Sequence, residues 1–218
     1  MKKVVIVLAI ILFAGNMTRS YAQKSRTLSK GFSLNFIIGF PSGTYGLKSD
    51  SNIDDKSKFV AIGGLQIGNR WYFSPTKKIG LGLMVNWIDF SVAYRSVTDV
   101  DADWNRLVAD FSFCEFGPVG TVAITDNIAL DLYYNIRPTI LTRITSVSYN
   151  YPELNDEEVY SGIGYSHALG TAFRYKELNV GFEYVFGSIK CSDIDNESGN
   201  RDSKLMVNNF RIKLGWKF

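Results

Sequence analysis

A single histidine, His167, is the side chain best suited to acid–base chemistry near neutral pH. To drive hydrolysis it would need a correctly spaced hydroxyl and a carboxylate to orient its ring. Its neighbours are Ser166 on one side and Ala168-Leu169 on the other. In an extended strand Ser166 points to the opposite face, so no catalytic residue is nominated. Two acidic groups could hold a divalent cation. Asp99-Val100-Asp101-Ala102-Asp103 opens like a calcium loop, but Trp104 stands where that loop needs glycine. Asp193, Asp195 and Glu197 precede Gly199 in the second group. Both read more simply as solvated surface, so no metal site and no cofactor are assigned. Cys114 and Cys191 fit no metal or redox spacing and are expected to be unpaired.

The elements that must position these residues begin after a targeting segment. Lys2 and Lys3 precede an apolar run from Val4 to Ala14, and Ser20-Tyr21-Ala22 supplies small residues before a cut. That order describes a secretory signal peptide over residues 1–22, with a mature domain over 23–218. The run is too short for a transmembrane helix, which takes about 20 apolar residues. The whole chain carries 24 basic and 21 acidic residues. Lys2, Lys3 and Arg19 leave with the signal, so the mature chain is neutral and its charge gives no argument for nucleic acid.

Period-two alternation dominates what remains and predicts eight strands. The last is clearest, with Met206, Asn208, Phe210, Ile212, Leu214, Trp216 and Phe218 on one face. The first sets Phe32, Leu34, Phe36, Ile38 and Phe40 against Ser33, Asn35, Ile37 and Gly39. Ile79 to Trp87, Ile128 to Arg137, Ile163 to Tyr175 and Leu178 to Phe186 repeat the pattern, as does a second strand from Phe59 to Phe73. In the fourth, Leu107, Ala109, Phe111 and Phe113 lose parity with Phe116, Pro118 and Val122, which predicts a bulge near Cys114-Glu115.

Short and long connections alternate. Pro75-Thr76-Lys77, Thr125-Asp126-Asn127 and Lys176-Glu177 read as tight turns, and residues 42–57, 95–105, 143–158 and 191–203 as long polar loops. Such sorting fits a membrane barrel with both chain ends on the periplasmic side. One face of nearly every strand is large and apolar, and the other mixes Gly, Ser, Asn and charge. Eight strands leave an interior just wide enough for side chains. The bulky set therefore faces lipid, and the fold expected is an all-β, eight-stranded, antiparallel up-and-down transmembrane β-barrel. Phe32, Trp71, Phe73, Tyr175, Trp216 and Phe218 gather at the periplasmic strand ends as an interfacial girdle.

Parity then fills the lumen. Asp110, Glu115, Asp131 and Glu183 fall inside with Arg70, Arg137, Arg174, Arg211, Lys213 and Lys217, the last two arginine and lysine positions nearest the wet ends being Arg174 and Lys217. Glu183 is expected beside Arg211, Lys213 and Arg174, and the acids near Asp131 are expected to draw cations from across the barrel. Buried charges in so narrow a space favour pairing, which predicts an ion-pair plug and poor conduction.

Phe218 with Trp216 two residues before it, on an alternating final strand and with Gly215 immediately before Trp216, resembles the C-terminal assembly signal of bacterial outer-membrane barrels. Phe116-Gly117-Pro118-Val119-Gly120 and Asp131-Leu132-Tyr133-Tyr134 look like small barrels of the Bacteroidota. The architecture resembles OmpX-like proteins and the barrel half of OmpA, without the peptidoglycan-binding domain of the latter. That resemblance implies a cell outer-membrane location, contact with outer-membrane lipid and lipopolysaccharide, and the β-barrel assembly machinery as a biogenesis partner. The function expected is a non-enzymatic integral outer-membrane protein, structural or interacting through its loops with a partner the sequence does not name. The alternatives are a lipid-A-modifying enzyme, which would use His167 with a hydroxyl facing the outer leaflet, and a narrow pore.

Overall fold

The computed structural model describes residues 28, 31–42, 45–46, 61–73, 78–98, 102–149, 156–194 and 202–218. The expected signal peptide and the turn at Pro75-Thr76-Lys77 lie outside them, as do Phe59, Asp99, Asp101, Asp195 and Glu197. The elements are β1 (Gly31–Pro41), β2 (Ile62–Tyr72), β3 (Ile79–Thr98), β4 (Ala102–Ala123) and β5 (Ile128–Tyr149). They continue as β6 (Asp156–Tyr175), β7 (Leu178–Phe186), β8 (Ser188–Asp193), β9 (Asp202–Met206) and β10 (Asn209–Lys217). All ladders between these strands are antiparallel. β1 pairs on one side with β2 and on the other with β10, and β5 with β6 closes the ring. β8 continues β7 beyond Gly187, and β9 leads into β10. The ten segments therefore make eight walls, as the alternation predicts.

Gly187 explains the break in the seventh wall. Its φ of 138° lies where L side chains rarely go, so the chain can turn there without strain. Its carbonyl accepts from the Val207 amide at 3.1 Å, which holds the two kinked walls together. Gly215 serves a different need. A side chain there would lie 1.9 Å from Asn35 Oδ1. Without one, Asn179 Nδ2 reaches over the strand and donates to that oxygen at 3.0 Å.

Two bulges reset the side-chain parity. The expected one is present in β4: pairing to β5 shifts between Ser112 and Phe116, and Cys114 takes a φ of 49°. Cys114 points out and is a free thiol, Glu115 points in, and Cys191 is free and buried. A second bulge was not legible in the alternation. Ile67 pairs with Ile88 but Gly68 pairs with Asn86, so Trp87 is an extra residue in β3. Trp87 and Ile88 are both exposed, and beyond them Asp89, Ser91 and Ala93 face inward.

The loop lengths expected from composition are corrected. Most of 95–105 and 143–158 and part of 191–203 are strand, because Thr, Ser, Ile and Val keep alternating after large apolar residues give out. Such β-branched residues fit a pleated surface whether its outer face meets lipid or water. β3 to β6 run 20, 22, 22 and 20 residues against 11 each for β1 and β2. By register, Ile62 at the outer end of β2 pairs with Ala93, so β3 runs five residues beyond it, Tyr94 to Thr98, about 17 Å along the strand.

The outward face carries Phe36, Ile38, Leu81, Leu132, Ile163, Leu214 and many similar side chains, all exposed. An uninterrupted apolar belt around a closed ring spans a membrane, since closure satisfies every ladder hydrogen bond internally. The outward Asn69 is no exception, because Trp87 Nε1 donates to its Oδ1 at 2.8 Å. The expected girdle is in place, with Phe32, Phe73, Tyr175, Trp216 and Phe218 exposed and Trp71 packed edge-on to Trp87. Phe218 closes the barrel seam: its amide donates to the Phe32 carbonyl at 2.9 Å and their rings lie 6.3 Å apart. Deleting Phe218 should leave export intact and lower the amount of folded barrel recovered in outer-membrane fractions. Unchanged recovery would show that this seam contact plays no part in assembly.

Candidate functional site: a stapled lumen

Every charge that parity placed inside the barrel lies there, except that Lys217 is only half-buried at the rim. Two clusters form. The central one is built on Asp89, Asp110, Glu115 and Glu183 with Arg137, Arg211 and Lys213. Arg211 Nη1 donates to both Asp89 oxygens at 3.0 and 3.1 Å, while its Nη2 reaches Ser91 Oγ at 3.1 Å and Asp110 at 3.4 Å. Arg137 donates through Nη2 to Asp89 at 3.2 Å and Asp110 at 3.4 Å, and through Nε to Glu115. Lys213 Nζ donates to Glu183 at 2.7 Å and stands 4.7 Å over the Tyr133 ring.

Neutral amides and hydroxyls extend the cluster to every wall. Gln66 on β2 donates to Asp89 at 2.8 Å and accepts from Asn35 on β1 at 3.2 Å. Asn86 donates to Glu115 at 2.9 Å. On β6, Ser166 Oγ bonds Thr139 Oγ1 on β5 at 2.8 Å. Asp89, Asp110, Glu115, Arg137 and Arg211 are fully buried, so each loses its water and must be repaid by such partners.

Nearer the periplasmic end, Asp131 holds the second cluster. Arg174 Nη2 donates to its Oδ1 at 2.9 Å, Arg174 Nε lies 2.9 Å from its Oδ2 as an ion pair, and Arg70 lies 3.2 Å away across the lumen. Thr121 donates to the same carboxylate at 2.6 Å, and Tyr72 links Thr121 with Arg174, both at 2.9 Å. Two expectations are corrected here. Arg174 is not at a wet end but buried, and its carboxylate is Asp131 rather than Glu183. Both acids lie on strands beside β6, but Asp131 pairs with Ala172, two residues from Arg174, and Glu183 with Gly170, four residues away, so register decides the partner.

Apolar side chains close the lumen above and below the charge. Tyr45, beyond β1, is buried among Ile62, Val108, Leu141, Ile189 and Leu205 on the outer side. Leu28, ahead of β1, is buried with Tyr72, Met84, Val119 and Tyr133 on the periplasmic side. Neither stopper was legible, since both residues fall outside the alternating runs.

His167 sits on the outward face between two strands. Its Nδ1 lies 2.7 Å from the Tyr134 hydroxyl, and its ring stacks on Tyr134 and Phe186 at 5.9 and 5.5 Å. Ser166 is turned into the lumen and bonded to Thr139. The two side chains are thus on opposite faces of β6, as the alternation requires. Among the described residues no group of three or more His, Cys, Asp or Glu side chains could hold a metal ion.

Neither a protein-family model nor a curated protein matches the chain. Solved structures do. Ail, the attachment invasion locus protein of Yersinia pestis, seen in complex with the heparin analogue sucrose octasulfate, superimposes with a TM-score of 0.48 at 13% identity, over 87% of this chain and 97% of that one. The outer membrane protein OprG from Pseudomonas aeruginosa gives 0.42 at 14% identity, over 87% and 95%. The eight-stranded transmembrane barrel itself is established by the chain's own strand pairing and outward face.

Proposed function

We propose that this protein is an integral outer-membrane barrel that neither conducts nor catalyses, and that works by holding its raised outer walls in place. The observation that carries this reading is the lumen, where buried charges and the neutral side chains bonded to them staple all eight walls and apolar stoppers lie at either end. A passage for ions would have to run through side chains that are already packed and paired. The raised ends of β3 to β6 supply a rigid outer platform, so a role in structure or in contact with something outside the cell fits the geometry best. The apolar belt supports lipid around the barrel; on this reading lipopolysaccharide is the outer-leaflet neighbour and the β-barrel assembly machinery the route of insertion.

Two measurements on protein taken from purified outer membranes test this. Unheated protein in SDS should migrate apart from boiled protein, because a closed barrel keeps its ladder until heated. Reconstituted into planar bilayers, it should give no large, steady ohmic conductance. A soluble periplasmic fraction without a mobility shift would sink the membrane placement, and a stable open channel would sink the plug.

A further inference from the structure

On the outward face of β4 the row Phe116, Pro118, Gly120 and Val122 is broken by one residue without a side chain. Gly120 pairs with Leu81 on β3 and with Leu132 on β5, and each leucine is 64% exposed. The result is a slot with a backbone floor and a leucine ridge on either side. Nothing in the ladder asks for glycine at this position. Its φ lies outside the left-handed region, and a Cβ built there would have Leu81 Cδ2 as its nearest neighbour, at 3.8 Å. Glycine inside a strand weakens it, and often marks a place where a ligand or another chain comes close.

The slot is the middle of a longer groove. About 460 Å³ of space is lined by Phe73, Leu81, Pro118, Gly120, Leu132 and Leu169, so it crosses from the end of β2 to β6. The lining is almost wholly apolar, and the Tyr134 hydroxyl beside it is already bonded to His167 at 2.7 Å. From Leu81 on β3 to Leu169 on β6 is three strand spacings, about 14 Å. One leaflet of hydrocarbon is about 15 Å deep, half of the bilayer core. A single acyl chain therefore has the length of the groove. Apolarity alone would hold nothing here, because a chain in the bilayer is already surrounded by hydrocarbon. Close approach does hold it: a bare backbone floor lets atoms meet that a bulky side chain would keep apart, and dispersion contacts add up. A second barrel fits less well. A stable protein interface buries about 1,200–2,000 Å² in all, which a slot one side chain wide does not supply.

We propose that this groove binds one acyl chain of a phospholipid from the inner leaflet of the outer membrane, seated on Gly120 between Leu81 and Leu132. Phe73 belongs to the periplasmic girdle, so that end of the groove meets the inner-leaflet headgroups, and the chain runs towards Leu169 in the belt. The inference rests on the reading that the apolar belt faces lipid, and goes beyond it by fixing one lipid at one place. The two fail differently. Failure of the belt would show as loss of the heat-dependent gel shift, whereas failure of the groove leaves that shift intact.

The test uses the full-length mature barrel, refolded in maltoside micelles with excess palmitoyl-oleoyl phosphatidylethanolamine and released intact into a mass spectrometer. One phospholipid retained per barrel is the expected result. Gly120→Leu, which fills the slot, and Leu132→Ala, which removes a ridge, should each lower retention about tenfold, the loss of on the order of ten carbon–carbon contacts. Gly63→Leu is the control, since Gly63 also has open space around it on the outward face of β2 but lies outside the groove. It should leave retention unchanged. Each variant must keep its gel shift to count as folded, and Leu132→Ala carries the test if Gly120→Leu does not fold. No lipid on the wild type, retention indifferent to the groove variants, or equal loss with Gly63→Leu would overturn the site. Barrels released in pairs that Gly120→Leu splits would overturn it in favour of a second copy. In a second arm lipid A replaces the phospholipid, and retention that depends on Gly120 is not expected; finding it would overturn the inner-leaflet source.

Discussion

Asp131→Ala is expected to lower the stability of the barrel by about 3 kcal/mol, the usual cost of removing one member of a buried ion pair. The carboxylate is fully buried and takes three charge-assisted contacts, two from Arg174 and one from Arg70, with a fourth bond from Thr121. Truncation leaves both guanidinium groups, each mostly buried, facing each other across the lumen. Their repulsion adds to the lost pairing. Equilibrium urea unfolding of protein refolded into lipid vesicles measures the change. Thr121→Val is the control, since it removes one hydroxyl from the same cluster and should cost only about 1 kcal/mol. Should the two midpoints coincide, Asp131 would be a passive occupant of the lumen rather than its lower staple.

That cluster shows how much the sequence reveals and where it stops. Asp131, Arg70 and Arg174 were legible as lumen residues because β2, β5 and β6 alternate without interruption around them. The partners were less legible than the face, because long side chains choose partners along the axis as well as around it. Asp89 is the instructive miss. Counted from Ile79, its parity points to lipid, where a carboxylate would be costly. The extra residue at Trp87 turns it inward to become the hub for Arg137 and Arg211. Trp87 and Ile88 are both large and apolar, so nothing in their types marks the slip. At Cys114 the slip was visible because Phe113 and Phe116, three apart, both demanded the outer face. A charged residue read onto the lipid face is thus itself a signal that a bulge precedes it. The raised walls escape the alternation for a related reason: their outer residues are polar, and polar residues away from lipid have the composition of a loop.

The central cluster is unequal in charge, and this leads to an asymmetric expectation. Asp89, Asp110, Glu115 and Glu183 face Arg137, Arg211 and Lys213, so the described carboxylates outnumber the cations by one. Loss of a cation should then hurt far more than loss of an acid. Arg211→Met keeps much of the volume but strips both Asp89 oxygens, Ser91 and Asp110 of a donor and leaves Asn209 unbonded to its Nε. Four acids would then face two cations among fully buried side chains, at a cost of about 3–5 kcal/mol. Asp110→Asn changes one atom. Both contacts of Asp110 to arginine are long, at 3.4 Å, and fall on different oxygens, so the amide oxygen keeps one and gives up the other. It also equalises the charge, so the expected loss is below about 1 kcal/mol. Temperature-ramped gel mobility of the two variants reads the contrast directly, with Arg211→Met losing its compact form well below the wild type and Asp110→Asn close to it. Equal losses would mean that packing, not charge balance, holds the lumen together; a larger loss for Asp110→Asn would mean that Asp110 is the anchor and Arg211 its dependent.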